Sequence, residues 1–193
     1  MRLAEAIAYL ESEGFSILDS KDISFDYIVN TPYSHILRFT NSELVTFASH
    51  YKWDNRYLEL AKEIATWSKD PSTKVSAIVV DDNNRIVSTG FNGFARGVND
   101  SKERYDDRET KYKLVLHAET NAILFARQNL TGCTIYTYPF SPCSRCASMI
   151  IQSGIKRVVA PVLPEHLKER WGEDCNLAVQ ILNEAGVDVD LVK

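Results

Sequence analysis

Histidine and cysteine are scarce in this 193-residue chain: His35, His50, His117 and His166 beside Cys133, Cys143, Cys146 and Cys175. A chain of this length buries an ordinary core without disulfide staples, and the C-x-x-C pair Cys143 and Cys146 reads as a metal or redox site rather than a structural disulfide. No run approaches the ~20 apolar residues that a membrane-spanning helix needs. Positive charge is not in excess. With 22 Lys+Arg against 26 Asp+Glu the formal net charge is −4, which does not suit a protein that coats nucleic acid. Internal repeats and low-complexity segments are absent. The opening MRLAEAIAYLESEGF is interrupted by Glu5, Glu11 and Glu13, with no small-residue cleavage site after it, so a secretory leader is not expected. These absences lead to the expectation of a soluble, cytoplasmic protein with reduced thiols.

What is present is ordinary for one α/β or α+β domain with a small appendage: 45% hydrophobic, 25% charged and 10% aromatic residues. Residues 1–52 read as the appendage, of small α+β type. Leu3, Ile7 and Leu10 share the face of a short helix that Gly14 ends, FSIL and DYIV read as strands, and Ser42-Glu43 begins a helix through Phe47. No chemical motif lies there, and packing between subunits is its default role. From residue 53 the pattern strengthens. Asp54 or Asn55 is expected to cap a helix carrying Leu58, Ala61, Ile64 and Ala65 on one face, which stops before Pro71. VSAIVVD and RIVSTGF flank a turn at 82–84 and predict a hairpin. GFNGFARG reads as a glycine loop. The mixed charges of residues 99–113 read as a solvated loop or helix face, with a substrate lid as the alternative. Helices starting near His117 and Cys143 and one around Asn176–Glu184 alternate with strands at 133–138, 156–161 and the terminal VDVDLV. That alternation implies a sheet covered on both faces.

Two short motifs carry the chemistry: His117-Ala118-Glu119, and Pro142-Cys143-Ser144-Arg145-Cys146. Each sits where a helix begins. Thiolates at i and i+3 share a helix face, and the exposed amides of a first turn favour negative charge. One imidazole and two thiolates make three zinc ligands and leave a fourth position open for water, the pattern of a catalytic site. Glu119, two residues after His117, is placed to shuttle protons. H-x-E followed by P-C-x-x-C is the signature of zinc deaminases. Alternatives at this point are a redox C-x-x-C, a purely structural zinc and an inactive descendant of an enzyme. The other histidines read as surface or core residues, and Cys133 and Cys175 as small buried hydrophobes.

Beyond these motifs, the chain from about Asp54 to Val189 resembles the deoxycytidylate (dCMP) deaminases of the cytidine deaminase-like superfamily. The resemblance lies in SKDPSTKV, GFNG, TKYKLVLHAETNAI, GCTIYTYPFSPCSRCA and IIQSGIKRVV, in that order. It implies a three-layer α/β/α sandwich around a five-stranded mixed sheet, with residues 53–193 as the zinc-dependent domain. It implies one Zn²⁺ per chain on His117, Cys143 and Cys146, zinc hydroxide attacking C4 of cytosine, and Glu119 carrying protons as dCMP becomes dUMP and ammonia for pyrimidine nucleotide biosynthesis. By the same resemblance Asn92 lies near the sugar hydroxyl, and the backbone of Ala118 and Ser141 touches the base. Lys69, Lys74 and Arg96 are the candidates for the 5′-phosphate. A homo-oligomer, often a hexamer, and a magnesium-bound nucleotide effector such as dCTP or dTTP are implied by resemblance alone.

Three departures from the family pattern stand out. Ser76 follows SKDPSTKV where relatives commonly have glycine, Phe91, Ala95 and Arg96 alter the glycine loop, and YTYPFSPC is one residue longer before the zinc cysteines than in many relatives. The last touches the pocket near C5 of the pyrimidine. Alternative functions are therefore a deaminase of a 5-modified dCMP or another free nucleotide or nucleoside, a polynucleotide deaminase, and a non-catalytic zinc protein.

Overall fold

The computed structural model describes residues 1–20, 25–32 and 36–192; His35 lies outside them. The chain divides into two compact units, Met1–Asn55 and Arg56–Lys193.

In the first unit, α1 (Leu3–Ser12) buries Ala6 and Leu10 and is followed by Gly14 at φ +86°. An antiparallel meander follows: β1 (Ser16–Asp19), β2 (Tyr27–Asn30) and β3 (Ile36–Phe39). The third strand was not expected, because Arg38 breaks the apolar pattern of so short a run. Phe15 meets the rings of Phe47 and Tyr51 edge-on at 5.8 and 5.0 Å, closing a core with Leu10, Val29, Leu44 and Ala48.

Helix α2 (Asn41–Ala65) corrects the sequence reading, which placed a helix start at Asp54 or Asn55. Its start is fixed by a reciprocal cap: Glu43 Oε2 accepts from the Thr40 amide at 2.8 Å, and Thr40 Oγ1 accepts from the Glu43 amide at 3.4 Å. No glycine or proline lies between residues 41 and 65 to stop it, and the boundary between the two units falls within it.

The second unit is built on a five-stranded mixed sheet. Its strands are β4 (Ser76–Val80), β5 (Ile86–Phe91), β8 (Thr134–Tyr138), β9 (Arg157–Pro161) and β10 (Asp188–Val192), in the order β10-β9-β8-β4-β5. The predicted hairpin is β4–β5. Its turn is set by Asp81, whose Oδ1 accepts from the amides of Asn83 and Arg85, and by Asn84 at φ 58°. The parallel strands β8, β9 and β10 require helical crossovers, supplied by α6 (Ser144–Gln152) and α7 (Lys168–Glu184). Helix α7 starts well before the expected Asn176; Gly172 inside its first half weakens the helical signal.

Three layers result. On one face the end of α2 sets Tyr57 against Tyr136, ring centroids 4.9 Å apart, and Ser76 donates its hydroxyl to Ala61 O. The departure from glycine at position 76 is thus used to bind helix to strand. On the other face Ala77, Val79, Ile135 and Val158 pack against α5 (Ala118–Phe125), α6 and α7 through Ala118, Ala122, Ala147, Ile150, Ala178 and Leu182. β4, covered on both sides, is buried at every position. The glycine loop and the charged segment are more regular than expected. β6 (Gly93–Phe94) pairs with β7 (Val115–Leu116), and residues 99–113 form α3 (Lys102–Asp106) and most of α4 (Arg108–Leu114).

Candidate metal centre and active site

Two helix starts build the centre. β7 delivers His117 as N-cap of α5, while the loop after β8 delivers Cys143 as N-cap of α6, with Cys146 in its first turn. The ligand atoms of His117, Cys143 and Cys146 all lie within 4.8 Å of one another. Each sulfur is 3.4 Å from His117 Nδ1. Sulfur and nitrogen bonded to one tetrahedral zinc at about 2.3 and 2.0 Å stand about 3.5 Å apart, so the donors are spaced for that ion. Asp174 of α7 secures the α6 start, accepting from the Ser144 amide at 3.2 Å and hydroxyl at 2.5 Å.

The protons of the site tell the same story. A hydrogen bond from the Cys146 thiol, with one from the His117 ring, holds the Cys143 thiol down to about 4. Giving that bond, with burial and the nearby Glu119 carboxylate, pushes Cys146 far up. The hydrogen bond to Cys143 raises His117 against the effect of burial. A second thiolate therefore needs additional positive charge, which a divalent cation supplies.

Glu119 is only 4% exposed, and its Oε2 has no hydrogen-bond partner. Burial pushes its carboxyl above the ordinary range, and the His117 charge only partly offsets this. A carboxyl buried with an unpartnered oxygen costs the fold stability, and this one lies in the first turn of α5, two residues after His117.

The centre opens into a cavity of about 470 Å³, within the range of small-molecule sites. His117, Ala118, Glu119, Cys143, Ser141 and Asn92 line it. The Asn92 amide is already engaged: Oδ1 accepts from Val75 N at 2.8 Å and Nδ2 donates to Thr73 O at 2.9 Å, so it shapes the wall at 73–75. Lys69, Lys74 and Arg96, expected at a phosphate, are not among the lining residues. Lys69 pairs with Asp100 at 2.7 Å, Lys74 donates to Thr66 O at 3.2 Å, and Arg96 lies 5.6 Å from the centre of the Phe125 ring. The structure thus does not bring these three side chains together at the cavity wall. The cations that do line the cavity are Arg108, Lys111, Arg145 and Arg170, which the sequence reading missed. For Arg108 and Lys111 the signal lay in TKYK and its flank, hidden within a run of mixed charge.

The zinc-binding-region profile of the cytidine and deoxycytidylate deaminases matches residues 51–162, more than half of the chain and including all three candidate ligands. The chain belongs to this deaminase family. Among similar proteins is an uncharacterised deaminase encoded in the luxG 3′ region of Aliivibrio fischeri, 48% identical over 138 residues, or 72% of this chain and 92% of that one. The deoxycytidylate deaminase of Homo sapiens is 37% identical over 116 residues, covering 57% of this chain and 65% of its own. The chain spans 60% of a probable deoxycytidylate deaminase of Caenorhabditis elegans at 43% identity. Among solved structures, the dCMP deaminase of cyanophage S-TIM5 in apo form has a TM-score of 0.57 and 25% identity, covering 73% of this chain and 98% of that one. As a member of this family the chain has a mixed five-stranded sheet and a His-Cys-Cys centre fitted to zinc.

Proposed function

We propose that the protein is a zinc-dependent hydrolase that converts dCMP and water to dUMP and ammonia. The observation that carries this reading is the buried Glu119 carboxyl, one oxygen unpartnered, in the same cavity as the three candidate zinc ligands. The deoxycytidylate deaminases among its relatives and the cyanophage dCMP deaminase support the choice of substrate. His117, Cys143 and Cys146 would hold the zinc, which when bound would supply a water activated for attack at C4. Glu119 takes the protons released by that water, gives one to N3 and one to the departing amine, and so returns to its starting state. The main chain of Ala118 and Ser141 orients the base, and Asn92 holds the wall against which the sugar rests.

In this proposal residues 53–193 are the catalytic domain and 1–52 an appendage, supported by the separate compact unit at the N-terminus. Assembly into a homo-oligomer is supported by Leu124 and Phe125 of α5, which stand 64% and 49% exposed. A cytoplasmic location suits four cysteines that are all free; no helix among the described residues is long and apolar enough to cross a membrane.

The test is ammonia release from the zinc-loaded protein across dCMP, CMP, deoxycytidine, dCTP and 5-substituted dCMP. The highest kcat/KM is expected on dCMP; no ammonia from any of them would overturn the reading. Metal content is a separate check. Purified protein is expected to hold about one zinc, and Cys143→Ser to lower zinc affinity by about 100-fold or more, because a serine hydroxyl stays protonated where a thiolate forms. Elemental analysis that finds zinc unchanged in Cys143→Ser would remove Cys143 from the ligand set.

A further inference from the structure

The cavity has a second chemical pole away from the zinc ligands. Arg108 Nε donates to the Tyr112 hydroxyl at 3.1 Å, and Arg170 donates to the same oxygen from a helix 58 residues away in sequence. The two guanidinium carbons lie 5.3 and 5.9 Å from the centre of the Tyr112 ring. Among the described residues no carboxylate forms an ion pair with either arginine, although this chain carries a formal net charge of −4. Burial pushes the Tyr112 phenol up, but the Arg108 hydrogen bond and the charges of Arg170, Arg108 and Lys111 outweigh it and hold the group below its ordinary value.

Two like charges converging on one neutral oxygen repel each other, and a bound anion converts that repulsion into attraction. The cluster is also held in place. Asp107 caps α4 by accepting from the amides of Glu109 and Thr110, at 3.1 and 3.4 Å. Lys111 ties α4 to the loop before β4 through a buried ion pair with Asp70 at 3.1 Å and a bond to Ser72 at 2.8 Å. That pairing neutralises Lys111 and leaves the two arginines as the unpaired charge at Tyr112. Arg170 lies 4.8 Å from the centre of the Trp171 ring, whose buried Nε1 donor has no acceptor.

One face of α7 lines the cavity. Arg170, Trp171, Asp174 and Cys175 all line the cavity, at the i, i+1, i+4, i+5 spacing of one helix face. Asp174 holds the helix start that carries Cys143, and Arg170 stands one turn, about 6 Å, toward the other end. An arginine side chain extends that reach further.

We propose that Arg108 and Arg170, converging on Tyr112, form the subsite that binds the 5′-phosphate of the substrate. The assignment rests on the reading of the chain as a nucleotide deaminase. A monophosphate carries about −1.5 to −2 charges at neutral pH and three acceptor oxygens, enough to take both guanidinium forks and the orphaned indole donor.

The experiment compares dCMP with deoxycytidine for the zinc-loaded wild type, Arg170→Gln, Arg108→Gln and Arg170→Lys. The ratio of kcat/KM for dCMP to that for deoxycytidine is expected to fall about 10- to 100-fold in each glutamine variant, at unchanged zinc content. Arg170→Lys is expected to fall between, keeping the charge but not the fork. Inorganic phosphate should compete with dCMP in the wild type, with an inhibition constant at least tenfold weaker in Arg170→Gln. If dCMP turns over while both glutamine variants keep the ratio within twofold, or phosphate inhibits without competing, the subsite is overturned and the reaction reading stands. If the wild type releases no ammonia from dCMP, the reaction reading falls. Calorimetric binding of dUMP and phosphate, weakened in Arg170→Gln, would then still carry the anion site, and binding equal in both proteins would remove it as well.

Discussion

Replacing Glu119 by glutamine is expected to lower the deamination rate by about 10²–10⁴-fold while the protein still holds zinc. The side chain keeps its shape and loses only the ability to carry a proton. Glu119 occupies the first turn of α5, where the helix dipole favours a carboxylate, yet it is buried and its Oε2 makes no hydrogen bond. Burial raises its proton affinity and His117 lowers it, the balance needed by a group that both accepts and returns protons. Since the carboxyl is costly to bury, glutamine should leave the melting temperature unchanged or raise it. Ammonia release, elemental analysis and thermal unfolding read the three consequences separately. Turnover within tenfold of wild type would remove Glu119 as the proton carrier, and loss of zinc would make it a ligand instead.

The residues brought together at the metal centre were legible because their signal is local. His117 and Cys143 each stand at a strand-to-helix junction, and Cys146 follows three residues later, so spacing alone places their donors near helix starts. The convergence of Arg108 and Arg170 on Tyr112 was not legible, because its members come from α4 and α7 and meet only through the fold. Within residues 99–113 the mixed charges look like any solvated face, and nothing in the composition separates Lys111, buried on Asp70, from Lys113, exposed beside Glu109. The candidates Lys69, Lys74 and Arg96 make their contacts away from the cavity wall, and Arg96 drew attention through its place in the glycine loop. A glycine-rich neighbourhood marks freedom of the backbone, not the direction in which a side chain points. Helix lengths failed for a related reason: α2 continues through Asp54 because its cap is at Thr40, and capping residues occur inside helices as well as at their ends.

A single methyl group at Gly90 is expected to damage both fold and site. Its Cβ would stand 2.3 Å from Ala118 O, 2.5 Å from Ala122 N and 3.1 Å from Ala122 Cα, all of them α5 backbone. Gly90 does not lie in the left-handed region, so the requirement for glycine is one of space. No flexible side chain can yield there; helix or strand must move by about 1 Å to restore ordinary contact. Ser88, two residues earlier on β5, donates its hydroxyl to Ala122 O and binds the same helix to the same strand. Overpacking of this kind typically costs about 1–3 kcal/mol, and backbone-to-backbone contact belongs at the upper end. For a protein of this size that is a fall of about 6–12 °C in melting temperature. Because His117 caps α5 and Glu119 lies in its first turn, the displaced helix carries a candidate ligand and the candidate proton carrier with it. A misplacement of about 1 Å can cost 10²-fold in rate. Gly172→Ala is the matching control. Its Cβ meets nothing nearer than Lys168 Cβ at 3.9 Å, and it lies inside α7, where alanine is favoured over glycine by about 0.5–1 kcal/mol. Thermal unfolding of the two variants should therefore shift in opposite directions, with zinc content and turnover lost only in Gly90→Ala. Equal melting temperatures for Gly90→Ala and wild type would mean that α5 does not lie as close to β5 as this packing requires.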